Sequence, residues 1–207
     1  MKLRNLFMIA IVSAVTFTSC EDKEKKAQEE KERMEMEQME AERESEMQAQ
    51  EEKMEMESNS IAAKAMATPT LSTLVSAMQN AELAQMMKED EGPFTVFAPT
   101  NDAFSKVDKT ALDNLMKPEN KKNLQNVLKY HVVSGKITSS DLAAEIQANN
   151  GTFKFSTVEG AELTATMSGD KIVLKDGNGK TANIVQADVE ASNGVVHVID
   201  AVVMKKS

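Results

Sequence analysis

The sequence predicts an α+β domain carried behind an acidic stalk of helical or disordered chain, and three features carry that prediction. Between Thr70 and Ile146 the apolar residues recur at helical spacing; from Gly151 onward they alternate, with Gly- and Asn-containing turns between the runs. Ahead of both, residues 21–60 are dominated by Glu, Lys, Gln, Met, Ala and Arg, with no Gly and no Pro. Helices followed by strands, rather than the two in alternation, are the pattern of an α+β domain.

A chain of 207 residues has room for one ordinary domain and an appendage. The formal net charge of −9 belongs to the appendage: residues 21–57 hold seven Lys/Arg against sixteen Asp/Glu, whereas residues 58–207 hold fifteen against seventeen. A nearly neutral domain without a basic stripe has no electrostatic grip on a phosphate backbone, so nucleic acid is not expected as a partner.

Residues 1–19 read as an export signal, with Lys2 and Arg4 ahead of an apolar run from Leu6 to Phe17 that is too short to span a bilayer. Cys20 is the only cysteine and can form no disulfide within the chain. Its place after Thr18-Ser19 resembles a bacterial lipoprotein cleavage site, which implies lipidation at Cys20, and Glu21-Asp22 resembles the acidic export signal of surface lipoproteins. Several acyl chains hold a protein stably where a single chain gives only reversible contact. The expected location is therefore the cell envelope, lipid-anchored at the outer membrane or cell surface. The expected division is a signal peptide over 1–19, a lipidated Glu/Met-rich stalk over 20–68 and a folded domain over 69–207.

Every common stalk residue is a good helix former, yet no continuous apolar stripe runs along it. Met47, Met54 and Ile61 fall at sevenfold spacing, which leaves a coiled coil open beside a solvated, partly helical stalk. The Met-Glu-Met triplets at 34–36 and 54–56 suggest soft thioether ligands for Cu(I), although no Cys or His stands nearby.

Within the domain, Thr70 can cap a helix that buries Leu71, Leu74, Val75 and Met78. Asn80 starts a second short helix with Leu83, Met86 and Met87 inward, stopped by Gly92-Pro93. Phe94 to Ala98 is a strand ended by Pro99, and Thr100 caps the turn after it, with Asp102 favourably placed near the helix N-terminus. Thr110 to Asp113 has capping-box spacing ahead of Leu112, Leu115 and Met116, and Pro118 suits the first turn of the next helix. There Leu124, Val127, Leu128, His131 and Val132 form the apolar face, with Tyr130 at its edge. Thr138-Ser-Ser-Asp141 caps a last helix that buries Leu142 and Ile146. The alternating residues Phe153, Phe155, Leu163, Ala165, Met167, Ile172 and Leu174 then define strands, with turns at Ser168-Gly169-Asp170 and Asp176-Gly177-Asn178-Gly179. Thr181 to Val189 and Val195 to Val203 complete the sheet, the latter apolar on both faces and so a central strand.

Three segments in fixed order resemble the fasciclin (FAS1) family over nearly all of residues 70–204. They are Gly92-Pro93-Phe94-Thr95-Val96-Phe97-Ala98-Pro99-Thr100-Asn101-Asp102-Ala103-Phe104, then Leu128 to Lys136 around Tyr130-His131, then Ala187 to Asp200 with Ser192-Asn193-Gly194-Val195-Val196-His197. The resemblance implies a wedge of antiparallel β-sheets with helices packed on one side. It also implies cell adhesion, or binding of an extracellular or envelope protein or a matrix polymer, through positions that match Tyr130, His131, Asp188 and Val189. The chain departs from the family at its end, where Val202-Val203-Met204-Lys205 lacks the usual Leu-Pro close.

Against these roles stand structural ones: a core position for each of His131 and His197, and a turn role for Asp188 and Asn193. With two histidines sixty-six residues apart, no glycine-rich phosphate loop, and neither an HExxH nor a CxxC motif, the sequence predicts no enzyme, no cofactor and no metal centre. The other reading is a small-ligand or copper-binding envelope module, using the stalk or a cleft between sheet and helices.

Overall fold

The structure is a computed structural model that describes residues 21–83 and 92–205, with side chains from Glu30 onward. The expected signal peptide, Cys20 and the inward positions Met86 and Met87 lie outside the described residues. The chain divides into two units, one up to Glu51 and one from Glu52 to Ser207.

In the first unit the stalk is helical. It forms most of α1 (Glu21–Ser58), and every side chain from Glu30 to Glu57 is exposed. Among the helix's ion pairs is Lys31 with Glu35, one turn apart, an exposed pair of the kind that adds a few tenths of a kcal/mol.

The second unit begins earlier than the Pro69 boundary expected from composition. Ser60 caps α2 (Ile61–Met66), and Ile61 and Ala65 on that short helix are buried in the core. Asn193 holds the junction by accepting the Ile61 N–H at 2.8 Å, while Ser192 donates its N–H to the Asn59 carbonyl. A 3-10 turn at Pro69–Leu71 leads into α3 (Ser72–Asn80). Thr70 does not cap it. The cap comes from Asn101, whose Oδ1 accepts the Thr73 N–H at 2.9 Å while its Nδ2 donates to the Pro69 carbonyl.

Strand β1 (Phe94–Pro99) is buried along its whole length and runs into α4 (Asn101–Ser105), capped by Thr100 as the sequence predicts. Helix α5 (Lys109–Leu115) is capped by Asp108 rather than by Thr110, because Asp108 Oδ1 is the acceptor that reaches the Ala111 N–H. No residue of α5 is fully buried; Leu112 and Leu115 are half-exposed. After a 3-10 turn at Pro118–Asn120, α6 (Lys121–Tyr130) buries Leu124 and Leu128. The helix ends one residue before His131, which is its C-cap, and Val132 belongs instead to β2 (Val132–Ser134). Helix α7 (Ser139–Ala148) carries a complete capping box between Thr138 and Asp141.

The strands β3 (Thr152–Ser156), β4 (Glu162–Ser168), β5 (Lys171–Lys175), β6 (Thr181–Ala191) and β7 (Gly194–Ile199) follow, in the order β2-β1-β7-β6-β5-β4-β3. All pairings are antiparallel except β1 with β7, which run parallel from Phe94↔Gly194 to Pro99↔Ile199. The family-like wedge arises in β6. Its first residues pair with β5 and its last with β7, and the register slips twice between, at Ile184/Gln186 and at Gln186/Val189. Irregularities of this kind bend and twist a strand, so one long strand serves both sheets of the wedge. Met167, expected inward, is 37% exposed because it lies near the β4–β5 turn, beyond the core.

Alternation divides the two central strands between two cores. Phe94, Val96 and Ala98 of β1, with Val196 and Val198 of β7, face the core shared with α2 to α6. Phe97 and Ile199 face a second core with Tyr130, Leu142, Ile146, Leu163 and Leu174. The close approach of β1 to β7 depends on Gly194, at φ +151°, where an added Cβ would stand 1.9 Å from the Phe94 carbonyl oxygen. Gly194→Ala should therefore cost at least about 3 kcal/mol of stability, within the range reached when backbone strain and core packing fail together. Urea denaturation followed by circular dichroism measures it, and a loss under 1 kcal/mol would show that the β1–β7 pairing does not require the missing side chain.

Candidate functional site

The four positions singled out by the sequence divide into two buried and two near the surface. Tyr130 and His131 are 1% and 2% exposed, so neither side chain forms part of the outer surface. Tyr130 stands well inside the second core rather than at the edge of a helical stripe. Its hydroxyl donates to the Glu162 carbonyl at 3.0 Å and accepts the Gly177 N–H at 3.3 Å. Desolvation first, then the nearby carboxylates of Asp176, Glu159 and Glu162, push the phenol above its usual range despite the Gly177 hydrogen bond. His131 donates from Nδ1 to the Val127 carbonyl at 2.8 Å and accepts the Val203 N–H at Nε2, at 3.3 Å. The ring thus ties the end of α6 to the C-terminal segment.

His197, the second buried imidazole, stacks on Phe97 with ring centroids 5.5 Å apart. Its Nε2 donates to the Ile137 carbonyl at 2.9 Å and its Nδ1 accepts the Asp188 N–H at 3.3 Å. Asp188 sits at the second irregularity of β6 with φ +57°, and its side chain is exposed. The carboxylate accepts the backbone N–H of Ser139 at 2.8 Å and also the Ser139 hydroxyl. Partial desolvation raises the Asp188 carboxyl, but the two Ser139 hydrogen bonds and the His197 ring outweigh it and hold the group below its ordinary value. Val189 is half-buried against the first core. Beside this pair, Lys136 Nζ meets Glu190 Oε1 at 3.0 Å in an exposed ion pair.

Ser139, Asp188 and His197 are the residue types of a hydrolytic triad, connected in the wrong order for one. In a triad the imidazole takes the serine proton and the carboxylate orients the imidazole. Here the carboxylate takes the serine hydroxyl directly, and backbone groups occupy both nitrogens of each histidine. What the cluster can do is hold a carboxylate at a fixed place on an exposed, irregular strand segment, where Val185, Gln186, Ala187 and Asp188 are all exposed. The resemblance pointed to Asp188 and Val189, whereas nothing in the sequence marked Ser139 as the residue that clamps Asp188. Ser139 was legible only as part of a helix cap, and its separation of 49 positions from Asp188 leaves no local pattern.

Among the described residues no group of three or more His, Cys, Asp or Glu side chains is arranged to hold a metal ion. For copper through thioethers, a helix turns about 100° per residue, so Met34 and Met36 of α1 point about 200° apart and cannot close on one ion. No described helix is long and apolar enough to cross a membrane.

Residues 69–205 match the fasciclin domain family. Protein sll1483 of Synechocystis sp. is 41% identical over 148 residues, covering 70% of this chain and 72% of that one. The immunogenic protein MPB70 of Mycobacterium bovis is 34% identical over 147 residues, covering 70% and 68%. The cell surface glycolipoprotein MPB83 of the same species is 33% identical over 147 residues, covering 70% of this chain and 60% of its own. Among solved structures, the FAS1 domain pair of the insect cell adhesion molecule Fasciclin I overlays with a TM-score of 0.49 at 22% identity, covering 64% of this chain and 44% of that one. Match and motifs agree: the chain belongs to the fasciclin domain family.

The buried imidazoles give the protein a defined acid response. Desolvation pulls His131 from the ordinary 6.5 down to about 4, and only the Val127 hydrogen bond opposes it. The unfolded chain therefore binds more protons than the native one between these values. Stability should fall as pH drops from about 6.5 to about 4, by about 3 kcal/mol for His131 at 1.36 kcal/mol per pKa unit. His197, lowered chiefly by burial, adds to the same slope. The carboxyls of Asp188 and Asp200 are held low, so their share is lost only below the ordinary Asp value of 3.8. Urea titrations at pH 7, 5.5 and 4 should show the loss, and His131→Gln should flatten part of it; equal slopes in both proteins would remove His131 from the account.

Proposed function

We propose that this protein is an exported, lipid-anchored envelope protein whose fasciclin domain mediates adhesion by binding an extracellular or envelope protein or a matrix polymer, without catalysis. The observation that carries the reading is Asp188, an exposed carboxylate locked by Ser139 on the irregular stretch of β6. A recognition group held in one rotamer loses little freedom on binding. Tyr130, His131 and His197 serve from below, fixing the backbone that carries the surface. Membership of a family with a cell surface glycolipoprotein among its relatives supports an envelope location. Cys20, following an apolar leader, is the residue for the anchor.

Such a surface gains strength by number: many copies on one membrane turn weak single contacts into firm attachment. The full chain should bind cells or matrix weakly in solution and at least tenfold more strongly on beads. Asp188→Ala should abolish the bead effect while shifting stability by about 1 kcal/mol, the usual worth of such hydrogen bonds. Beads bearing Asp188→Ala that adhere as well as the parent would remove this surface from the reading. Mass spectrometry of the mature N-terminus tests the anchor separately, with a diacylated Cys20 expected and an unmodified thiol overturning it.

A further inference from the structure

Beneath α5 the first core does not close. A cavity of about 200 Å³ lies among α3, α4, α5, α6 and the C-terminal segment, with Ala77 and His131 among the buried residues of its wall. Protein interiors usually hold few voids larger than a water molecule. This one is large for a domain of this size, comparable with an engineered apolar cavity of about 150 Å³ that takes up benzene. Its position explains why α5 buries none of its residues: Leu112 and Leu115 reach the cavity lining instead of seating in the core, and Ala111, exposed to solvent, stands at its mouth.

The lining decides what could enter. Among the described lining residues His131 is the one side chain able to form hydrogen bonds, and both ring nitrogens are already taken by Val127 and Val203. The remaining described lining side chains, from Phe104 and Val107 round to Leu128 and Met204, are hydrocarbon or thioether. A guest bearing a hydroxyl, amide or charge inside would have to leave it unpaired, at a desolvation cost. We propose that this cavity is a binding site for an uncharged hydrocarbon group slightly larger than benzene, either a free small hydrocarbon or the end of an acyl chain whose polar head stays at the mouth beside Ala111. The site is separate from the Asp188 surface and does not depend on the adhesive reading.

The test is a methyl and imidazole NMR titration of the full chain with benzene, cyclohexane and octanoate. Saturable shifts confined to Leu115, Val127, Leu128 and the His131 ring are expected with both hydrocarbons. Octanoate competing with cyclohexane would assign the guest to acyl chains; cyclohexane bound without such competition would assign it to free hydrocarbons. Val107→Phe and Ala77→Leu fill the cavity from two walls, so a failure of one to fold leaves the other. Either folded variant should weaken cyclohexane binding at least tenfold while keeping the parental thermal midpoint. No saturable shift up to the solubility limit, or parental affinity in a folded, filled variant, would overturn the proposal.

Discussion

The parallel pairing of β1 with β7 is the constraint on which the rest of the domain depends. Both strands are buried along their entire length, and both serve two cores at once. A parallel pair cannot be joined by a tight turn and needs a long crossover; here about ninety residues, including α4 to α7 and five strands, lie between the two. Two segments a hundred positions apart, Phe94 beside Gly194, therefore meet at the domain's centre. Gly194 lets them approach, and the segment before it, Ser192-Asn193, also fastens the chain entering α2.

Burying two central strands brings polar groups into the interior, where each must find a partner. Thr95 does so by donating to the Gly135 carbonyl and accepting the Ile137 N–H. The two histidines use every ring nitrogen on backbone groups, and one bond of each, His131 to Val203 and His197 to Ile137, spans sixty residues or more of sequence. Asp176, almost fully buried, gathers the N–H groups of Asn178, Lys180 and Met204 and so closes the β5–β6 turn onto the C-terminal segment. These side chains act as connectors in the buried interior, where burial favours the neutral imidazole and both rings serve the structure.

The same division governs the outside. Where β6 bends to serve two sheets, the irregular backbone turns Asp188 outward and gives it φ +57°. The bend demanded by the wedge thus creates the exposed carboxylate, and α7 supplies the Ser139 clamp because its N-terminus arrives at that bend. On the opposite account, α5 is held by its Asp108 cap and by half-buried contacts, and the space beneath it remains open. The exposed carboxylate and the open space under α5 thus both arise where regular packing gives way.

Much of this was legible beforehand. Leu74, Met78, Leu124, Leu128, Leu142 and Ile146 were readable as core because helical spacing reports one face of one element. The caps at Thr100 and Thr138 were readable because their donors lie within three residues. Asn101 as the cap of α3, Asp108 in place of Thr110, and the Ser139 clamp on Asp188 were not, since each was chosen by which acceptor the fold brought nearest. The sequence by itself determined the helix-then-strand order, the acidic stalk, though not that it is helical, and the family, all properties of local spacing, composition or contiguous motifs. Only the tertiary structure decided the parallel β1–β7 pair, the depth of Tyr130 inside the second core, the clamp on Asp188 and the cavity under α5. Those depend on which distant segments share a volume, and side-chain spacing along one element carries no information about its neighbours.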